Sequence, residues 1–349
     1  MHDLLKKNIY ILADWLYLPE IFRFYYRRHV TILLYHGVYP RGAEDGIFNY
    51  RQKFITPEAF EKQMHWLKKH FTILPVPTIV ELLKSNKVLP PRTLGITFDD
   101  GYRNIYKYAF PILRTLKIPA TVFITTDLIE KGEPLWVDKL EYALGHTSLP
   151  YLKLSIENTF KTFPLDTYDD KCRADSFLRE YMKKTNAEIK ETLLKSIVDI
   201  TQKDLKAVFE TSPYQGLTWD EIRKMQRDNF TFAAHTSSHP ILSRLPKDLA
   251  EHEIMDSHNL LTQRLGKELK IFAYPNGQKQ DFTPETIFFL KRTGFWAAFT
   301  TISGKFKLGV DLLQIPRHTL DGSNDFRVFR LTVSGVRSAL ANLRTCFQI

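Results

Sequence analysis

Short runs of β-branched, aromatic and small apolar residues recur along this chain, separated by stretches with helical spacing, and this rhythm constrains the fold more than any other feature. Val30 to Leu34, Leu94 to Phe98, Ala120 to Ile124, Phe230 to Ala234, Ile271 to Ala273, Phe295 to Phe299 and Leu312 to Ile315 each read as a strand. The intervening segments carry helix signals. Thr56-Pro57-Glu58 supplies a cap, a first-turn proline and an acidic first turn, followed by Phe60, Met64 and Leu67 at helical spacing. Thr218 with Glu221 forms a capping box, Asp248 to Leu265 stops at Gly266, and Thr283-Pro284-Glu285 opens a helix ending near Gly294. Further helices are predicted over Thr78 to Lys84 and Asn104 to Leu116, the latter disturbed at Pro111. Strands joined by helices need crossover connections, which make a parallel sheet.

The rhythm breaks between Leu135 and Gly216, where polar and leucine-rich sequence predicts a mainly helical insertion, with Tyr151 to Phe163 open to a small hairpin. A chain of 349 residues can be one α/β barrel carrying such an insertion. The expected organisation is an amphipathic segment over 1–29, then a barrel domain over 30–349 with its insertion at about 135–216.

Ile9 to Phe24 is rich in apolar and aromatic residues, with Lys6, Lys7, Arg23, Arg27 and Arg28 around it, but Asp14 and Glu20 interrupt it. A spanning helix needs about 20 mostly apolar residues, and a cleaved signal needs an unbroken apolar core. The expectation is a cytoplasmic protein, or one held peripherally on the cytoplasmic membrane face by residues 1–29 resting on anionic lipid; the alternative is a helix packed on the barrel. Lys and Arg number 49 against 39 Asp and Glu, a net charge of +10 that favours polyanionic surroundings. No nucleic-acid-binding signature accompanies it, so nucleic acid is not an expected partner. Cys172 and Cys346 are the only cysteines and lack metal-ligand spacing, which excludes a cysteine knuckle and predicts two free thiols.

Three polar motifs fall directly after predicted strands: Asp99-Asp100-Gly101, His235-Thr236-Ser237-Ser238-His239-Pro240 and Tyr274-Pro275-Asn276-Gly277. In a parallel barrel the strand ends meet at one face, so these motifs converge. Two histidines and a carboxylate suit one divalent cation with positions left open. One of Asp99 and Asp100 would ligate while the other accepts a proton, a hydrolytic arrangement. Each motif alone also fits a solvated turn or a surface histidine; their shared placement at strand ends is what points to a site.

These motifs resemble those of the polysaccharide deacetylases, carbohydrate esterase family 4, also called the chitooligosaccharide deacetylase homology domain. Thr97-Phe98-Asp99-Asp100-Gly101 is similar to the family's first motif, His235 to Pro240 to its second, and Ala273-Tyr274-Pro275-Asn276-Gly277 to its third. The resemblance implies a distorted, incomplete (β/α) barrel of the polysaccharide deacetylase type. It implies Asp99 as general base, Asp100, His235 and His239 as ligands of one divalent ion, and the Tyr274 amide, beside Pro275, as oxyanion donor. Zinc is the default metal, with iron, cobalt, manganese or nickel able to use the same ligands. The implied reaction removes an N-acetyl group from an amino sugar in a polysaccharide, oligosaccharide or lipid-linked glycan; the alternative is a non-catalytic glycan-binding protein on the same barrel. Two departures stand out. The third motif lacks the arginine that many members use to orient the base, leaving Arg317 as the candidate replacement, and His318 stands either as general acid or as a structural or substrate-binding histidine. His36 is assigned to loop backbone, Trp136 and Asp138 are weighed as sugar contacts against a core role, and His65, His70, His252 and His258 are assigned to the surface.

Overall fold

A computed structural model of the chain describes residues 2–42, 46–157, 159–201, 213–320, 322 and 325–340, with side chains from residue 8 onward. Its main sheet has eight strands, all pairings parallel, in the order β10 (His318–Thr319), β1 (Thr31–Tyr35), β3 (Thr93–Phe98), β4 (Ala120–Ile124), β7 (Phe230–Ala234), β8 (Ile271–Ala273) and β9 (Ala297–Phe299), with β2 (Thr72–Ile73) also on β3. The segment 315–319 touches both edges of this sheet: Ile315 bridges Phe299, and His318 and Thr319 pair with Leu33 and Leu34. The result is the expected distorted (β/α) barrel.

Alternation along each strand divides the core in two. Ile32, Phe123, Ala233, Ala273, Ala297 and Phe299 gather on one face, where Val76, Ile79, Val80 and Leu83 of the helix Val76–Lys84 pack against them. Gly95 lies on this face because a Cβ there would come within 2.8 Å of Ile32 Cδ1 and 2.9 Å of Val76 Cγ2. The opposite residues, among them Leu33, Tyr35, Phe98, Val122 and Phe232, are covered by Phe60, Met64 and Leu67 of the helix Pro57–His70 and by Ile254 and Leu261 of Lys247–Leu265. A fully buried side chain of this size contributes about 1.5–3 kcal/mol, so both faces stabilise the barrel.

Two elements differ from expectation. Leu312–Gln314 is a 3₁₀ turn rather than a strand, because the Asp311 carboxylate accepts the Leu313 N–H at 3.0 Å and turns the chain before it can extend. The final strand comes a few residues later, at His318–Thr319. The Asn104 to Leu116 helix starts as a wide π-turn over Ile105–Ala109 before becoming the α-helix Phe110–Leu116; Pro111 has no N–H for Lys107, four residues back, and its ring crowds that carbonyl.

The insertion builds its own apolar cluster. Helices Trp136–His146, Tyr168–Lys184 and Ala187–Thr201 pack with the antiparallel hairpin of β5 (Tyr151–Ile156) and β6 (Thr159–Pro164), burying Leu140, Leu152, Leu178 and Ile197. No helix among the described residues is long and apolar enough to cross a membrane. Cys172 is a free thiol, and Cys346 lies outside the described residues.

Candidate metal centre and active site

The loops after β3 and β7 hold three non-glycine residues in left-handed backbone: Asp100 at φ 73°, Thr236 at 66° and His239 at 61°. Such conformations cost about 1–3 kcal/mol each and persist only where their surroundings impose them. Here the imposing contacts are visible. Thr236 Oγ1 accepts the His239 N–H at 3.1 Å, and Glu253 Oε2, on the helix Lys247–Leu265, accepts the amides of Ser237 and Ser238 at 2.9 Å each. Sequence reasoning missed Glu253, which looks like any charged helix residue until the fold brings it under the loop.

The strain aims three side chains at one point. Asp100 Oδ1 lies 3.5 Å from His235 Nε2 and 3.4 Å from His239 Nε2, and one ligand atom from each residue falls within 4.8 Å of the others. All three residues are buried, and Asp100 Oδ1 has no hydrogen-bond donor. His235 Nδ1 sits 2.7 Å from the Ala273 carbonyl, which makes that nitrogen the N–H and leaves the Nε2 lone pair facing Asp100. Burial pushes the His239 imidazole down to about 3, keeping it in the neutral form that ligates. Burial works to raise Asp100, but its neighbours His239, Lys53, His36 and His235 outweigh it and hold the carboxyl well below its ordinary range. Two imidazoles and a carboxylate converging in a buried site fit a divalent cation of the zinc class; the donor set does not choose among zinc, iron, cobalt, manganese and nickel.

Asp99 lies beside this centre, its Oδ2 3.9 Å from His235 Nε2. Arg317 grips it: Nη1 donates to Oδ1 and Nη2 to Oδ2, each at 2.7 Å. The guanidinium is fully buried and is itself fixed by Nε donating to the Thr300 carbonyl at 2.9 Å and Nη1 to Thr97 Oγ1 at 3.2 Å. The arginine missing from the third motif is thus met in space by one arriving from the other end of the chain.

His318 is not brought to the site. It pairs with Leu33 while Thr319 pairs with Leu34, so its ring points to the outer face of the sheet and Arg317 and Thr319 point inward. There its Nδ1 meets Ser303 Oγ at 2.8 Å, and burial, reinforced by Lys305 and Arg337, pushes it down to about 3. The general-acid expectation for His318 is corrected by this one-residue parity. His36, assigned from sequence to loop backbone, instead lines the cleft with Asp99, Asp100, His235 and His239. It continues the inward alternation of Ile32 and Leu34, and that parity in the sequence was the signal that could have found it. Burial lowers its pKa, against the pull of the Asp100 and Asp99 charges.

The expectation for Tyr274 also changes. Its backbone N–H donates to the Phe299 carbonyl at 3.0 Å and its hydroxyl to the Leu313 carbonyl at 2.9 Å, so the amide is held in the sheet. Pro275 carries no N–H, and the next one belongs to Asn276, which lines the cleft with a buried side-chain Nδ2 lacking a hydrogen-bond partner. Trp136 packs in the insertion core. Asp138 is buried, accepting from Lys53 Nζ at 3.0 Å and the Tyr102 hydroxyl at 2.6 Å; Lys53 Nζ also stands 3.8 Å from Asp100 Oδ2. His258 is buried rather than on the surface, with Nε2 3.3 Å from Glu268 Oε1. Above these groups opens a cleft of about 790 Å³, with Arg51, Lys183, Lys184 and Arg244 among its walls.

Comparison with known proteins agrees with this geometry. The polysaccharide deacetylase family model matches residues 86–149 and 191–298, the two stretches that hold the aspartate pair and the histidine pair. A poly-beta-1,6-N-acetyl-D-glucosamine N-deacetylase of Staphylococcus aureus is 36% identical over 103 residues, 29% of this chain and 34% of the relative. A Staphylococcus epidermidis protein of the same name is 37% identical over 76 residues, 22% of this chain and 26% of its own. The chain therefore matches about a third or less of the length of these curated relatives. Among solved structures, a Streptococcus pyogenes deacetylase in complex with acetate superposes with a TM-score of 0.55 at 18% identity, over 84% of this chain and 93% of the other. A polysaccharide deacetylase from Bacillus cereus gives 0.55 at 19% identity, over 87% and 69%. With family model, fold and motifs in agreement, this chain carries a domain of the polysaccharide deacetylase family.

Proposed function

We propose that this protein is a metal-dependent N-deacetylase acting on an N-acetylated amino sugar within a glycan. The observation that carries the reading is the juxtaposition, on one cleft floor, of the Asp100/His235/His239 triad with an Asp99 carboxylate held in place by Arg317. A divalent ion bound by that triad would supply Lewis acidity, lowering the pKa of water and polarising the acetamide carbonyl. Asp99 takes the proton from the attacking water, and Arg317 keeps both carboxylate oxygens oriented while it does so. Asn276 offers N–H groups to the carbonyl oxygen as negative charge develops there. The proton Asp99 takes is passed through His36, in the cleft lining, to the departing nitrogen. Water adds to the carbonyl carbon, the C–N bond breaks, and acetate and a free amino sugar leave.

The names of the staphylococcal relatives make a β-1,6-linked N-acetylglucosamine polymer the first substrate to try. Lys184 and Arg244 in the cleft walls, beside Arg51 and Lys183 that pair with Glu180, make a lipid-linked sugar phosphate the second. The test is acetate release from poly-β-1,6-N-acetylglucosamine oligomers, chitooligosaccharides and lipid-linked N-acetylglucosamine, with protein stripped by chelator and reloaded in turn with zinc, iron, cobalt, manganese or nickel. Turnover lost with the chelator and restored by a metal is the expected result. A metal-loaded protein that binds these glycans and releases no acetate would be the glycan-binding protein instead.

A further inference from the structure

We propose that the elbow between the two N-terminal helices is a docking surface for an anionic lipid bilayer. Helices His2–Trp15 and Leu18–Tyr25 meet at Tyr17, whose φ of 55° turns the chain sharply. The inner side of this corner is anchored: Ala13 packs with Leu331 and Val336, against the helix Phe326–Ser334 and the residues just after it. The outer side presents Leu12, Trp15, Leu16, Tyr17, Ile21 and Phe24 to solvent, with Trp15 72% and Phe24 62% exposed. So many large apolar side chains on one corner form a patch that a soluble surface rarely tolerates.

Asp14 and Glu20 are the residues that break the apolar run in the sequence and would oppose an anionic surface. The fold turns both toward the helix Phe326–Ser334. Arg330, on the helix Phe326–Ser334, reaches Asp14 Oδ1 at 3.4 Å with Nη1 and Glu20 Oε1 at 2.8 Å with Nη2, so one guanidinium draws both acids to the inner side and offsets part of their charge. Among the described residues, the outward side of the corner is mainly aliphatic and aromatic, bordered by the basic Arg27 and the exposed Arg28. Arg27 lies over the Phe24 ring at 4.3 Å, placing a cation at the edge of the apolar patch. Aromatic rings at headgroup depth with arginines beside them are the combination that an anionic membrane interface selects. The described helices are too short and too polar to cross the bilayer, so this contact lies in the interface plane.

The experiment is flotation of the full chain with vesicles of phosphatidylcholine alone or phosphatidylcholine with a quarter phosphatidylglycerol, alongside light scattering of the protein alone. The expected result is capture by the anionic vesicles, at least about tenfold weaker for Trp15→Ser/Leu16→Ser/Phe24→Ser and several-fold weaker for Arg27→Ala/Arg28→Ala, with unchanged circular dichroism. Brominated lipids should quench part of the tryptophan fluorescence, and Trp15→Phe should still float while losing that part. Absence of binding to either vesicle overturns the proposal. So does a dimer in solution that the triple substitution splits while vesicle capture stays at background, which would assign the patch to a second copy of the chain.

Discussion

Arg317 and Asp99, 218 residues apart, form a two-pronged ion pair in which each terminal guanidinium nitrogen donates to one carboxylate oxygen at 2.7 Å, with Asp99 lining the cleft and Arg317 fully buried behind it. Arg317→Lys keeps the charge and loses the fork. Misplacing a reacting group by about 1 Å can cost about 10²-fold, so kcat should fall by about that factor with KM and metal content near wild type. Steady-state acetate release and metal analysis check this; unchanged kcat would separate Arg317 from the base.

The base and the metal ligands should part company on substitution. Asp99→Asn is expected to abolish turnover while the bound metal is retained, and His235→Ala to lose the metal. Metal content by mass spectrometry beside acetate release reads both, and equal metal loss in the two variants would erase the division of roles.

His36 and His318 make opposite predictions. General acid–base groups contribute about 10²- to 10⁴-fold, so His36→Ala should lower kcat within that range, whereas His318→Gln, on the far face of the sheet, should leave kcat within about threefold. A large kcat loss in the His318 variant, with its thermal stability intact, would return the acid role to that residue.

Glu253 holds the ligand loop from below through the amides of Ser237 and Ser238. Groups that orient metal ligands are worth about 10- to 100-fold in affinity, so Glu253→Ala should weaken metal binding by that much, measured by competition with a chromogenic chelator, with little change in kcat at saturating metal.

Burial holds His318 at about 3, below its ordinary 6.5. Above 6.5 both folded and unfolded chains carry it neutral, and its contribution to stability is complete. Between 6.5 and 3 only the unfolded chain takes up the proton, so stability falls as pH drops, by up to about 1.4 kcal/mol per unit from this group. Denaturant unfolding of metal-free protein across this window should show a shallower fall in His318→Leu, and an unchanged slope would place the titration elsewhere.

The barrel was legible because its evidence is local. Strands such as Ala120–Ile124 are runs of apolar residues, and the capping box at Thr218 and Glu221 appears in the structure as written, with Thr218 Oγ1 accepting the Glu221 N–H at 3.2 Å. The hairpin over Tyr151–Ile156 and Thr159–Pro164 was half legible, its alternation visible but embedded in helical sequence. The Leu312–Gln314 turn was misread because one aspartate side chain overrode the apolar pattern.

What the chain's residues determined by themselves is that an aspartate pair and a histidine pair, each closing a strand of one parallel sheet, end at the same rim: topology follows from strand and helix periodicity, and strand ends in such a sheet share a face. What only the tertiary structure decided is which distant groups complete the site and which acids are paired. Arg317 on Asp99, His36 inside and His318 outside, Glu253 beneath the loop, and Arg330 across Asp14 and Glu20 all depend on register and on the docking of separate elements. Charges and donors find partners through space, and the distance between them along the chain carries no trace of that.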